Sequence, residues 1–595
     1  MRLTFGTAPW SFRRLRNLMS MPPRALKVAL IMALASPPSR ASGQALQSDQ
    51  PPRTIHGTVL NAITKGPIGR ALVSSADNRF ATLTDGEGHF EFVLPRANSD
   101  SDGNSGIARP YQATQDPIEN LWLMARKPGF LVDRSEMRPT QVNSSADVTL
   151  TLIPEALITG RAILPTSDAA LGVDVDLFVR EVQDGMPRWI RKGSTRANSN
   201  GDFRFAELHA GTYKLGTREL QENDPAVTVP GGQQYGFPPV YFPGAPDFAT
   251  AGTIQVTAGQ TAQADITLVR QPYYPVEIPV SRVAADTGLN VTVSLAGNRG
   301  PGYSLGYNAQ NGRIEGLLPN GHYLVEGTTF GLRPATGAVN LTVAGAPAEG
   351  PGLALTGSSS ISLHVTEEFA GTEWSGSNTW NVNGRTFNVH GPRQYLQATI
   401  ESEEDLDRQR SLTVRPPMGP NDDSLVFENV SPGRYWLRLN SSRGYVAAAT
   451  VGGVDLLHQP LVISAGSSTP IEVKMRDDTA ELEGTIEGVP VEPAEGGGTS
   501  SHDSHGFAAL PVYCIPLPDS PGQYQQLWAS PTDGKFDYQM MAPGNYRVLA
   551  FKSRQEHLPF RDPEAMKAYD SKGQVVHLSS GEKASVQIQI LPDSE

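Results

Sequence analysis

The predicted fold is all-β: a tandem array of about five small β-sandwich domains behind a signal peptide. Three observations predict it. Apolar residues alternate with polar ones in short runs, the period of a strand with one buried face. The abundant glycines (59) and prolines (48) fall at fixed places between those runs, as turn residues do. A small set of phrases also recurs along the chain, the mark of a repeated structural unit.

The first phrase opens three of the units. It reads Ile55-His56-Gly57-Thr58-Val59, then Ile158-Thr159-Gly160-Arg161-Ala162, then Leu482-Glu483-Gly484-Thr485-Ile486. The second couples a tight turn to a strand with two aromatic residues. Examples are Thr84-Asp85-Gly86-Glu87-Gly88-His89-Phe90-Glu91-Phe92, Asn200-Gly201-Asp202-Phe203-Arg204-Phe205 and Asp533-Gly534-Lys535-Phe536-Asp537-Tyr538. A variant without the glycine turn runs from Leu425 to Val430, and a weaker copy is Asn311-Gly312-Arg313-Ile314. The Asp-Gly or Asn-Gly step supplies the positive φ of a tight turn. The alternation then puts both rings on one face.

A third phrase follows closely, with Gly-x-Tyr at its centre: Gly211-Thr212-Tyr213, Gly321-His322-Tyr323, Gly433-Arg434-Tyr435 and Gly544-Asn545-Tyr546. The glycine belongs to a second turn, and the tyrosine begins a strand in which the ring packs while the hydroxyl finds a partner. The last phrase closes a unit with two alternating strands around a glycine, at residues 254–268, 461–475 and 575–590. Together the phrases place a signal peptide and leader at 1–45 and domains at 50–154, 155–270, 271–355, 356–478 and 479–595. Helix is expected only near residues 562–571.

Composition narrows the function classes. With 595 residues, several domains of about 100–200 residues are expected. A chain that is 38% hydrophobic and 18% charged is too apolar for disorder. A net charge of −12 without a basic stripe argues against nucleic acid as a partner. The one cysteine, Cys514, lies in an apolar run and reads as a buried thiol, so no intramolecular disulfide is available.

Arg13, Arg14, Arg16, Arg24 and Lys27 precede a short apolar core from Val28 to Ala35, and small residues follow at Ala41, Ser42 and Gly43. This is the pattern of an export signal. The core is too short to span a bilayer, which takes about 20 apolar residues. No later stretch reads as a transmembrane segment. The expected location is therefore exported: periplasmic, cell-surface or extracellular.

The opening Gly-x-Val, Thr-Asp-x-x-Gly-x-Phe and Pro-Gly-x-Tyr phrases resemble the carboxypeptidase regulatory-like domain. That domain is a prealbumin-like sandwich related to collagen-adhesin B-type domains and to the starch-binding-like fold. The likeness is good for the units beginning near 50, 155 and 479 and looser for the two between. The stretch from Pro238 to Ala245, with the closing phrase after it, is similar to large exported acidobacterial repeat proteins. The resemblance implies prealbumin/Ig-like sandwiches acting as non-catalytic accessory or surface modules, with no catalytic residue carried over. The lysine that an adhesin-type isopeptide bond needs in the first strand is missing from the three opening phrases.

The search for chemistry yields little. His364 and Glu367 have the His-x-x-Glu spacing of a zinc site, but on a strand residues three apart point to opposite faces. His502 and His505 sit in a Gly-rich loop. Asp100, Asp102 and Asn104 begin a calcium-loop spacing that fails at Ser105 and Tyr111. No catalytic, cofactor or metal residue is assigned, and no cofactor is expected. The candidates for ligand contact are aromatic: Tyr235, Phe237, Tyr241 and Phe242 among prolines and glycines, and Trp374 and Trp380 in a Gly/Ser/Asn-rich stretch. If the rings of residues 235–244 face out, they make a rigid platform for sugars or a partner's apolar patch. If they face in, they cap their own sandwich. Prolines at 238, 239 and 243 predict an ordered extended loop there rather than a central strand. The function expected is structural or adhesive at the cell surface, without enzymatic activity. Polysaccharide binding is the alternative, and an accessory region of a hydrolase system is the second.

Overall fold

The computed structural model describes residues 54–592 except 76–79, 94–122, 133–146, 166–171, 222–231, 282–287, 297, 331–333, 372–377, 383–384, 404–410, 420–421, 465, 489–508, 519 and 521. The export signal, the calcium-like spacing at 100–111, His502, His505 and Trp374 lie outside the described residues.

The regular structure of the described residues is almost wholly strand. Among the described residues helix is confined to short turns, including Pro563–Met566, whose N-cap Asp562 accepts from the backbone N–H of Glu564 and Ala565. One arrangement recurs five times among the described residues. An opening strand pairs antiparallel with the aromatic strand and parallel with the closing strand. The openings are Thr54–Asn61, Ala156–Ile163, Gln271–Ser281, Ser359–Glu368 and Ala480–Glu487. Their antiparallel partners are His89–Val93, Asp202–Leu208, Arg313–Pro319, Leu425–Val430 and Lys535–Met541. Their parallel partners begin at Val148, Thr261, Ala348, Ile471 and Lys583.

A second sheet faces the first. In the last four units it is organised around the tyrosine strands Gly211–Thr217, Gly321–Thr329, Gly433–Ser441 and Gly544–Phe551. The alternation fills the space between the sheets. In the first unit Ile55, Val59, Phe90, Phe92 and Leu150 meet. In the fifth, Leu482, Ile486, Phe536, Tyr546, Val548 and Ile588 do the same. Equivalent cores lie in the units between.

Each recurring phrase has a physical origin. The turn glycines Gly88, Gly201, Gly312 and Gly534 all have φ between 68° and 82°, open to glycine without strain. In the first two turns a polar side chain takes up the free amides. Asp85 Oδ1 accepts from the N–H of Glu87 and His89, and Asn198 Oδ1 from Asn200 and Asp202, each at 2.9 Å. The four tyrosines of the Gly-x-Tyr phrase are buried, and each hydroxyl donates to the carbonyl four residues back. The acceptors are His209, Pro319, Ser431 and Ala542, at 2.7–2.9 Å. The closing turn also has a copy the sequence reading missed, at Gly345 in the third unit. Its φ of 75° matches 79°, 76° and 70° at Gly259, Gly466 and Gly581.

Junctions between sandwiches are short. Glu155 alone separates Val148–Pro154 from Ala156–Ile163, and Ser358 alone separates Thr356–Gly357 from Ser359–Glu368. Leu268, Val269 and Arg270 form the second junction, and Asp477, Asp478 and Thr479 the fourth. Side chains brace them. Glu155 accepts from Glu207 N–H, Asp477 from the N–H of Ala370 and Gly371, and Asp478 from the Tyr445 hydroxyl.

Candidate functional site

The segment from 235 to 252 is the aromatic-rich stretch singled out by sequence, and the strand beneath it explains its course. On Gly211–Thr217, Tyr213 and Leu215 point into the core of the second sandwich, so Lys214 and Gly216 point to the other face. The neighbouring strand Asp174–Gln183 is buried on both faces through Leu177-Phe178-Val179. Something must cover Phe178, and the aromatic segment does.

It lies down as a partial extra strand. Phe242 N–H donates to Leu215 O at 3.0 Å, and Val240 O accepts from Thr217 N–H at 2.9 Å. Gly216 is required by this approach, because a Cβ there would fall 2.5 Å from Cδ1 of Tyr241. Tyr241 (3% exposed) then joins Phe178, Trp189 and Phe248 in a satellite core. Phe248 stands at its centre, edge-on to Phe178, Trp189 and Tyr241 with centroids 4.9–5.8 Å away. Lys214 is buried beside them. Its Nζ donates to Phe248 O at 2.8 Å and lies 4.8 Å from the Phe248 ring and 5.0 Å from that of Trp189. Lys214 thus fixes the loop by its carbonyl while sharing its charge with the ring faces.

The candidate ligand contacts need correction accordingly. Phe237 is 4% exposed in the main core of the second sandwich, and Tyr241 is equally enclosed, so neither offers a face to a ligand. Phe242 is half-buried against the same core. Tyr235 is half-buried and stacked under Arg270, whose guanidinium carbon is 3.8 Å from the ring centroid. Trp380 lies on strand Asn378–Val382 opposite Phe387 in Arg385–Val389. The loop expectation needs correction as well. Gln234–Phe237 is a strand between Leu220–Gln221 and the opening strand of the third unit. The prolines begin after Phe237, so they end this strand instead of excluding it. Leu220–Gln221 and Gln234–Phe237, both before 270, consequently belong to the sheet of the following sandwich.

The same crossing carries an unusual carboxylate. Glu219 N–H donates to Gly302 O, and Glu219 Oε2 accepts from Ser304 N–H, both at 3.2 Å. Burial pushes the Glu219 carboxyl up to about 7, against the pull of the Ser304 N–H. Tyr273, Tyr303 and Tyr323 stand close enough that its charge raises their phenols further, burial being the larger cause in each.

His364 and Glu367 do not converge. His364 Nδ1 lies 3.2 Å from Glu472 Oε1 on the exposed face, while Glu367 accepts the Tyr395 hydroxyl at 2.5 Å. Among the described residues no group of three or more His, Cys, Asp or Glu side chains is placed to hold a metal. Cys514 is fully buried, and burial pushes its thiol up to about 12, far from the thiolate a nucleophile requires. A shallow polar hollow lined by Thr159, Arg196, Asn198, Asp202 and Arg204 opens beside the second sandwich, where Asp202 is paired with Arg161 at 3.0 Å. Among the described residues no helix is long and apolar enough to cross a membrane. The residues that sequence reasoning missed are Lys214, Trp189 and Phe248. The one available signal was the unbroken apolar run at 177–179, which marks a strand covered on both sides.

No family model and no curated protein matches the chain. Solved structures similar to it include the Bacillus anthracis TIE protein, at 10% identity over 74% of this chain and 75% of that one, with a TM-score of 0.14. The minor pilin of Streptococcus agalactiae is 13% identical over 36% of this chain and 95% of its own, with a TM-score of 0.16. A streptococcal ancillary pilin is 12% identical over 54% and 99%, with a TM-score of 0.17. At identities and TM-scores this low, the likeness carries no function across.

Proposed function

We propose that the chain is an exported, non-catalytic array of β-sandwiches whose task at the cell surface is structural or adhesive. The observation that supports it most is where the recurring residues go. The Gly-x-Tyr tyrosines, the first aromatic of each aromatic strand and the glycines of the opening phrases are consumed in building sandwiches. Short braced junctions suit the same reading, since they transmit orientation from one sandwich to the next in place of a free linker. Polysaccharide binding through residues 235–244 is the weaker reading, because Phe237 and Tyr241 are enclosed.

The test is made on cells. Antibody against the mature chain should label intact cells, and deletion of the gene should reduce attachment or surface integrity without removing a hydrolytic activity. Labelling only after permeabilisation of every membrane, or loss of a hydrolase activity restored by the purified chain, overturns the proposal. Binding of the purified chain on a glycan array would transfer support to the polysaccharide reading.

A further inference from the structure

The hairpin formed by Asp174–Gln183 and Met186–Arg196 belongs to the second sandwich, yet its tip meets the fourth and the fifth. Asp184, with φ 52°, and Gly185, with φ 78°, make the turn. Asp184 pairs with Arg438 of the fourth sandwich at 3.0 Å, and Arg438 also pairs with Glu401 at 2.5 Å. Arg188 donates to Ser402 O at 2.8 Å. On the other side Gly185 O accepts from Arg561 N–H at 3.0 Å, and Gly185 lies against the ring of Phe560, where a Cβ would come within 2.8 Å. Phe560 is itself held flat on Tyr524, with centroids 3.7 Å apart.

We propose that this hairpin tip is a salt-sensitive clasp that closes the array by holding the second sandwich on the fourth and fifth. The ties are mainly ion pairs and hydrogen bonds, whereas each sandwich keeps its own apolar core. Three guanidinium groups, of Arg188, Arg438 and Arg561, crowd two carboxylates, of Asp184 and Glu401. Burial and the nearby Arg438 lower the pKa of Arg561 to about 10, which reports the cost of that crowding. Such a contact weakens as salt screens it, and it parts before any sandwich unfolds.

The test measures a distance between the partners in the full chain. Spin labels are attached at Lys192→Cys and Lys572→Cys, both on exposed positions, while buried Cys514 stays unlabelled. Pulsed electron resonance should give one narrow distribution at low salt, shifting to longer and broader distances at about 1 M salt. Asp184→Lys, which sets a like charge against Arg438 and Arg561, should produce the long distribution at low salt. The backbone tolerates it, since Lys65 and Arg70 already adopt φ 57°. Should circular dichroism show that variant misfolded, Arg188→Ala gives the same readout by removing the tie to Ser402. A broad distribution in the parent at low salt overturns the clasp. A narrow one that survives both substitutions also overturns it.

Discussion

Gly484 stands directly across from Phe536 in the antiparallel pair that opens the fifth sandwich, and a Cβ on the glycine would lie 2.7 Å from Cε1 of the ring. The same pair recurs as Gly57 with Phe90 and as Gly160 with Phe203, again in register and again without room for a methyl group. The opening glycine is therefore a seat for the phenyl ring, and a Cβ there would also strike a backbone carbonyl, that of Val148, Ala264 or Val586. Its backbone conformation is extended and would suit any residue.

This pair gives the first prediction. Phe536→Ala should destabilise the fifth sandwich by about 3–5 kcal/mol through lost burial and a cavity. Gly484→Val should cost about 3 kcal/mol by overpacking. The two together should cost less than their sum by about 1–3 kcal/mol, because the smaller side chain vacates the space the larger one needs. Gly86→Ala, with nothing within 4 Å, is the control and should change stability by under about 0.5 kcal/mol. Urea unfolding followed by circular dichroism measures all four. A strictly additive double variant would show that the Val586 carbonyl, 2.8 Å from an added Cβ, sets the glycine in place of the ring.

The fifth sandwich should fold alone. A fragment of residues 479–595 contains every partner of its own core. Its ties to the fourth sandwich are polar ones, such as His458 to Ser520 and Gln523 to Val446. The expected outcome is a strand-type spectrum and one cooperative urea transition. A spectrum of unfolded chain would mean that its neighbours supply the missing stability.

Replacing Tyr241 or Phe248 with Ala should lower the stability of the second sandwich by about 3–5 kcal/mol, since each is a packed ring of the satellite core. Glycan-array signals should stay at the parent's level. Differential scanning calorimetry and the array decide together: intact melting with altered glycan binding would restore the ring platform.

Glu219 sets a pH dependence of reversed sign. Its folded pKa, about 7, is raised above the ordinary 4.5, so the folded state holds the proton more tightly. The stabilisation is complete below about 4.5, declines as pH rises and is gone above about 7. Tyr273, Tyr303 and Tyr323 face the group and keep their protons throughout this window. Glu219→Gln should therefore match the parent near pH 4 and exceed it at pH 8 by about 3 kcal/mol. Melting curves across this range check it, and a parent profile as flat as that of the variant would refute it.

What could be read from the sequence was local. The turns at Gly88, Gly201 and Gly534, the ring alternation after them and the hydroxyl bond of each Gly-x-Tyr tyrosine follow from residues within a few positions of one another. The third unit's closing turn at Gly345 escaped because its second strand is split into Ala348–Glu349 and Leu353–Ala354. The course of residues 234–252 escaped for a different reason. Whether Tyr241 faces out or in depends on Gly216 and Phe178, far back in the chain, and period-2 alternation does not say which strand will lie beneath a loop. The Asp184–Arg438 pair is more remote still, and charges of this kind on strands read as ordinary solvated faces.

The parallel pairing of opening and closing strands has a mechanical meaning. In the Ala480–Glu487 and Lys583–Leu591 pair, the chain enters at the foot of one strand and leaves from the head of its parallel neighbour. Tension on the two ends drags these strands along each other, so the rungs from Glu481–Lys583 to Glu487–Gln589 bear the load side by side. Peeled from one end, such a ladder would open rung by rung under small force. Loaded lengthwise, its rungs must rupture together. Because each sandwich repeats the geometry, a chain tethered at both ends would resist stretching as a series of locks.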